Sequence, residues 1–234
     1  MTETNMMRVN LQPERYCDDR KSHARGFSVL ELMIVVSIIL IVSAVTFIAL
    51  QPALANSRVN GAYDTALMQL RVARERAIEE RKRYIVTFGT PVVPGALTPL
   101  GAPTAKSMQV FRWDNGIPAP APVQVSTINL PFDVAFQTIA GIPTSAATVP
   151  DGFGAGITAI DFDQGVGAGG GNLVVFMPDG SARDMAGNLD SGVAYIARNG
   201  DIASSKAITF FGNTGRIRGW KLVTVGGVKS WMQQ

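Results

Sequence analysis

The sequence predicts an α+β protein, in which one long N-terminal α-helix packs on a mostly antiparallel β-sheet domain. Three observations predict it. Residues 27–50 form an apolar run broken by a single charge, Glu31. The chain then recovers its charged residues while keeping apolar side chains at helical spacing as far as the eighties. Beyond Tyr84 the helical period gives way to short β-prone runs separated by Gly, Pro, Asn and Asp, the pattern of strands joined by turns.

The chain has 234 residues, 47% of them hydrophobic and 17% charged, enough to bury one sizeable core. The formal net charge is +3, but it is unevenly placed. In residues 198–234, Arg198, Lys206, Arg216, Arg218, Lys221 and Lys229 face only Asp201. Such a cluster attracts anions through its summed field. Cys17 and His23 are the sole residues of their types, and both precede Gly26. A chain cut after Gly26 therefore has no thiol or imidazole, which excludes disulfides, Cys/His zinc sites and histidine-dependent triads from the mature protein.

Residues 1–26 are polar and end in the basic stretch Arg20-Lys21-Ser22-His23-Ala24-Arg25-Gly26, which the positive-inside rule keeps in the cytoplasm. The apolar run that follows has 24 residues; as a helix it spans about 36 Å, enough for a hydrocarbon core of about 30 Å. A secretory signal places its cleavage site after the apolar region. Here the small residue, Gly26, stands before it, so cleavage would leave the anchor on the mature chain. Glu31 is costly in that setting and calls for a functional reason.

Gly26 followed by Phe27-Ser28-Val29-Leu30-Glu31 resembles the class III signal of type IV prepilins, with the acid fifth after the cut. That resemblance implies cleavage after Gly26 by a prepilin peptidase and methylation of the new N-terminus at Phe27. It also implies that Glu31 pairs with the N-terminal amine of a neighbouring subunit during assembly. An amine and a carboxylate desolvated together cost much less than either alone, so the physics agrees. Many major pilins carry a helix breaker near mid-span, where this chain has Leu40 and its apolar neighbours.

Val59, Tyr63, Ala66, Leu70, Ala73 and Ala77 recur every three or four residues, an apolar stripe that continues the anchor as an amphipathic helix packed on a sheet. Arg71, Arg74, Arg76, Glu79, Glu80, Arg81, Lys82 and Arg83 decorate its other faces, with Arg76/Glu80 and Glu79/Arg83 at i,i+4 spacing. Pro52 predicts a bend or break just beyond the apolar run. The resulting division is a cleaved leader (1–26), a transmembrane assembly helix (27–52), an amphipathic continuation (53–84) and a periplasmic β-rich domain (85–234).

Strands are predicted at 84–88, 107–113, 123–130, 134–137, 157–162, 173–177, 193–197, 207–211 and 217–225. Residues 91–103 and 117–122 read as Pro-rich loops, and 165–171 as a Gly-rich connection. The passage from Leu67 through Arg71, Ala73-Arg74-Glu75-Arg76-Ala77-Ile78 to Val86-Thr87-Phe88 resembles the GspH/FimT pseudopilin family. So do Val174-Val175-Phe176-Met177-Pro178-Asp179-Gly180 and Ile208-Thr209-Phe210-Phe211-Gly212-Asn213-Thr214-Gly215-Arg216. Asp179-Gly180 and Thr214-Gly215 suit hairpin turns, which need residues tolerant of positive φ.

Catalytic and cofactor sites find little support. The glycines at 167–171 lack the Lys-Ser/Thr of a phosphate loop, and Asp161 with Asp163 lacks the following residues of an EF-hand. The expectation is no enzyme activity, no metal and no cofactor. The C-terminal Gly215-Arg216-Ile217-Arg218-Gly219-Trp220-Lys221 is more distinctive. Alternation sets Arg216, Arg218 and Trp220 on one strand face, and guanidiniums with an indole suit DNA phosphates and bases. Gly215, Arg216 and Arg218 also resemble the Gly-Arg-x-Arg stretch of FimT-type minor pilins linked to DNA uptake. The bland alternative is arginines that are solvated or paired with nearby acids.

Two functions follow from these readings. The first is a minor pilin or pseudopilin, anchored in the inner membrane, that serves a type IV pilus or a type II secretion pseudopilus with other pilins or pseudopilins as partners. The alternative is a DNA-binding minor pilin that uses Arg216, Arg218, Trp220 and Lys221.

Overall fold

In the computed structural model, the described residues are 27–89, 106–114, 121–145, 147–154, 158–164 and 171–234. Gly26, the Pro-rich loop at 91–103, most of the loop at 117–122 and the Gly-rich connection up to residue 170 lie outside them. One helix, α1 (Val29–Glu80), is followed by eleven strands. Contacts divide the chain into two compact units, residues 1–48 and 49–234.

In the first unit, α1 exposes every residue it contains, and the exposed stretch continues to Leu54. A helix that is apolar all round and buried nowhere suits a lipid environment rather than a protein core. Of the bend or break expected at Pro52, the break is absent, since the helix runs on through that residue. One lost backbone hydrogen bond does not interrupt a ladder that continues on both sides.

The second unit holds every buried residue of α1, beginning at Ala55, and all the strands. The stripe read from the sequence is the buried face: Val59, Tyr63, Ala66, Leu70, Ala73 and Ala77, joined by Ala55 and Ala62. Five of these eight residues are alanines, whose small side chains let the strands approach the helix backbone closely. The helix stops at Glu80, four residues short of the expected boundary. Arg81 takes a left-handed conformation, φ 52°, and β1 begins at Arg83, so Glu79 and Arg83 never share a helix face.

Two sheets share that helix, and every strand pairing in them is antiparallel. The first has β1 (Arg83–Phe88), β2 (Ser107–Asp114), β3 (Ala121–Asn129), β6 (Leu173–Phe176) and β7 (Ala182–Arg183) in the order β3-β2-β1-β6-β7. The second has β4 (Val134–Phe136), β8 (Ser191–Arg198), β9 (Asp201–Phe210), β10 (Ile217–Val225) and β11 (Val228–Gln233) in the order β11-β10-β9-β8-β4. β5 (Ile160–Gln164) pairs with the other half of the β8 edge.

The helix stripe, Tyr84, Val86, Phe88, Val174 and Phe176 of the first sheet, and Ala194, Ile196, Ile208 and Phe210 of the second form one core. Edge-to-face aromatic contacts join the two sheets, Phe88 of the first meeting Phe136 and Phe162 of the second at 5.1 Å and 5.2 Å, and within the second sheet Phe162 meets Phe210 at 4.8 Å. Such pairs add to the stability from area burial alone.

Polar contacts tie the helix at two levels. Arg58 grips Asp133 through both carboxylate oxygens, with its Nη2 2.7 Å from Oδ2, and this guanidinium holds the Asp133 carboxyl below its usual range. Further along, Arg74 donates to Gly180 O at 3.1 Å and to Thr214 O at 3.0 Å. It thereby fastens both glycine turns read from the sequence, where Gly180 and Gly215 have φ of 81° and 58°.

Gly219 is buried in β10 directly beneath Tyr63, and a methyl added there would overlap the tyrosine hydroxyl. Gly219→Ala should lower the unfolding free energy of the 49–234 fragment, which contains the whole described core, by about 3 kcal/mol in urea denaturation. Tyr63→Phe in the same chain should recover part of the loss, because the hydroxyl is the atom struck first.

Candidate functional site

Two regions carry the residues singled out in the sequence. At the N-terminal one, Phe27 and Ser28 precede the helix and Glu31 lies in its first turn. The first intrahelical bond there runs from Leu32 N to Ser28 O at 3.0 Å, so the earlier amides of the turn have no helical acceptor. Their partial positive charge favours a carboxylate, but by only about 0.3–1 kcal/mol at an exposed helix end. A carboxylate at the centre of a membrane helix costs about 2.5–3.5 kcal/mol. Near the end the cost is smaller, yet the dipole alone leaves the acid in need of a cation. A cut after Gly26 would generate one, two residues ahead of the helix.

The second region is the basic C-terminal strand, and the structure divides what the sequence grouped. Arg216 and Arg218 both stack on Phe211, with guanidinium carbons 4.9 Å and 5.2 Å from the ring centre. Arg218 also forms a short ion pair with Asp151. Asp151 accepts a further bond from the Thr209 hydroxyl, which in turn accepts from Trp220 Nε1 at 3.0 Å. Asp151 sits in a 3-10 turn at Pro150–Gly152 with φ 53°, a left-handed conformation uncommon for a non-glycine residue. Its carboxylate is almost fully buried, whereas Arg218 is about one-quarter exposed.

Arg218 and Trp220 are therefore committed to holding the 150–152 turn against β9 and β10. Arg216 is the exposed member, and it borders a cleft of about 430 Å³ with Arg71, Arg74 and Glu75. Lys221 belongs to the opposite strand face, where it stands directly across from Lys206 in the β9–β10 register. Sequence reasoning missed the roles of Asp151 and Thr209, and read Lys206 only as one of the basic residues of the C-terminal segment. Alternation shows that Thr209 shares a face with neighbouring odd positions of β9, but nothing local links Asp151 to a strand 67 residues away.

Among the described residues, no group of three His, Cys, Asp or Glu side chains is placed to hold a metal ion. One described helix, α1, is long and apolar enough to cross a membrane. The family model of the prokaryotic N-terminal methylation motif matches residues 21–47. The match supports a type IV pilin-like protein. It spans most of the basic stretch, Gly26, Glu31 and most of the apolar run, and it implies a prepilin peptidase substrate with other pilins as partners and an anchor in the membrane. No curated protein and no solved structure matches the chain.

Removing Arg218 strands a buried carboxylate, whereas removing Arg216 opens only a surface contact. Arg218→Ala should cost the 49–234 fragment about 3 kcal/mol, against less than about 1 kcal/mol for Arg216→Ala, in parallel urea titrations.

Proposed function

We propose that this protein is a minor pilin or pseudopilin, a structural subunit processed by prepilin peptidase that takes part in assembling, priming or capping a type IV pilus or type II secretion pseudopilus. The observation that carries the reading is Glu31, the fifth residue after Gly26 at the head of an otherwise uncharged 24-residue run. The architecture supports it, because the same helix continues as the spine of a β-rich domain. The C-terminal domain then lies in the periplasm, and the chemistry is assembly rather than catalysis. Similarity to GspH/FimT pseudopilins rests on the helix-to-strand passage and the two glycine turns.

In cells that make the filament, Gly26→Ala should leave the chain at its precursor size on immunoblots. Glu31→Ala should be processed normally yet be missing from sheared filaments or from the pseudopilin complex. Correct processing and incorporation of both variants would contradict the reading.

A second reading, a DNA-binding minor pilin, is favoured by one observation: Arg216 shares its cleft with Arg71 and Arg74. Its basis shifts accordingly from the Arg218–Trp220 face to the Arg71–Arg216 cleft. If it holds, the 49–234 fragment is retained on DNA cellulose at low salt and released as salt rises, and Arg216→Ala with Arg71→Ala abolishes retention. Absence of retention at low salt removes this reading.

A further inference from the structure

The unpaired N–H and C=O groups of an edge strand accept another chain unless the edge is blunted by brevity, proline, a bulge or charge. Among the described residues, β7 and β4 have only two and three residues. β3 contains Pro122 and shifts register against β2 between Val110 and Phe111. β5 shifts register against β8 and carries Asp161 and Asp163. β11 has none of these devices beyond the single charge of Lys229. Its six residues pair with β10 without a register shift, and Val228 and Met232 are 69% and 48% exposed.

The hairpin determines which backbone groups of β11 are free. Gly226 and Gly227, with φ of 58° and 82°, form a two-residue loop between β10 and β11, the kind that matches strand twist. Val225 and Val228 flank the loop and close it, so Val228, Ser230 and Met232 are the residues that bond to β10. Gln234 keeps that phase, donating to Gly219 O at 2.9 Å. The N–H and C=O groups of Lys229, Trp231 and Gln233 therefore point away from β10.

Direction and charge select the occupant. Contacts step back along α1 as β10 advances: Thr214 O meets Arg74 just before the strand, Gly219 lies beneath Tyr63, and Leu222 borders the same cleft as Asn56 and Val59. β10 thus runs antiparallel to this part of α1, and β11 runs parallel to it. A two-fold pairing of two β11 edges is antiparallel, which would reverse one α1 against the other. Subunits inserted with one topology run in one direction, so a second copy does not suit this edge. Charge complementarity asks for an acid, since Lys229 belongs to a segment, residues 198–234, whose six basic side chains face only Asp201. We propose that β11 accepts an added antiparallel strand from a different pilin subunit, with apolar side chains opposite Val228 and Met232 and an acid opposite Lys229. Main-chain bonds to Lys229, Trp231 and Gln233 supply the affinity, and the side chains choose the partner. That the partner is a pilin rests on the filament reading; the receptive edge does not.

The test mixes the full chain, in detergent micelles, with the acetylated and amidated peptide Thr-Val-Val-Thr-Glu-Val-Thr and follows hydrogen–deuterium exchange. Exchange in residues 228–234 should slow about tenfold when free peptide is about ten times its Kd. The same peptide with Lys in place of Glu should bind about threefold more weakly, and Lys229→Glu should reverse that preference. Lys229→Pro removes an outward N–H without breaking a bond to β10, so the variant should remain folded by circular dichroism yet lose the protection. In cells, Lys229→Pro should reach its mature size but be depleted from sheared filaments or from the pseudopilin complex. No protection of the unaltered chain, or full protection of Lys229→Pro, would overturn the edge site. An unchanged preference in Lys229→Glu would overturn the charge match, and normal incorporation of Lys229→Pro would overturn the pilin partner. None of these outcomes alters the filament reading, which Glu31→Ala tests separately.

Discussion

A carboxylate inside an apolar membrane helix is the constraint on which the rest of the molecule depends. Glu31 is the only charge in residues 27–50, and the helix dipole offsets only part of its desolvation. The remainder calls for a cation at the same depth. Cleavage after Gly26, as proposed, would produce one at Phe27, four residues ahead of that chain's own Glu31. On the proposed reading, pairing between neighbouring subunits would satisfy both charges and set the stagger between them.

The same helix then changes role without interruption. Its first half is exposed along its whole length in this chain, and its second half presents a narrow stripe rich in alanine to two sheets at once. The edge-to-face contacts of Phe88 with Phe136 and Phe162 join the two sheets. Arg58 and Arg74 fix the spine near the start and near the end of its buried length, so the helix cannot slide against the strands.

Much of this was legible in the sequence because it depends on period. The helix stripe, the Asp179-Gly180 and Thr214-Gly215 turns and the strands from β1 to β4 follow from spacing and local turn chemistry. What was not legible depends on contacts between distant positions. β7 is too short to show alternation, and β11 is an edge strand whose exposed Val228 and Met232 do not mark a core face. β9 starts six residues earlier than expected, since Ser204, Ser205 and Lys206 conceal the pairing, while the expected start of β5 at residue 157 lies outside the described residues. The helix end at Glu80 falls inside a run of charges with no capping residue to mark it.

The basic strand shows the same limit at the candidate site. Arg216, Arg218, Trp220 and Lys221 are contiguous and look like one patch. Asp151 withdraws Arg218 and, through Thr209, Trp220; strand alternation sends Lys221 to the other face, opposite Lys206. Only Arg216 keeps the exposure that the linear motif suggested.

The measurement that bears most directly on the account is the intact mass of the protein extracted from membranes of its native cell. The account predicts a chain that begins at Phe27 and carries one methyl group on its amine. A chain that still carries residues 1–26 would contradict it, because Glu31 would then have no terminal amine to meet.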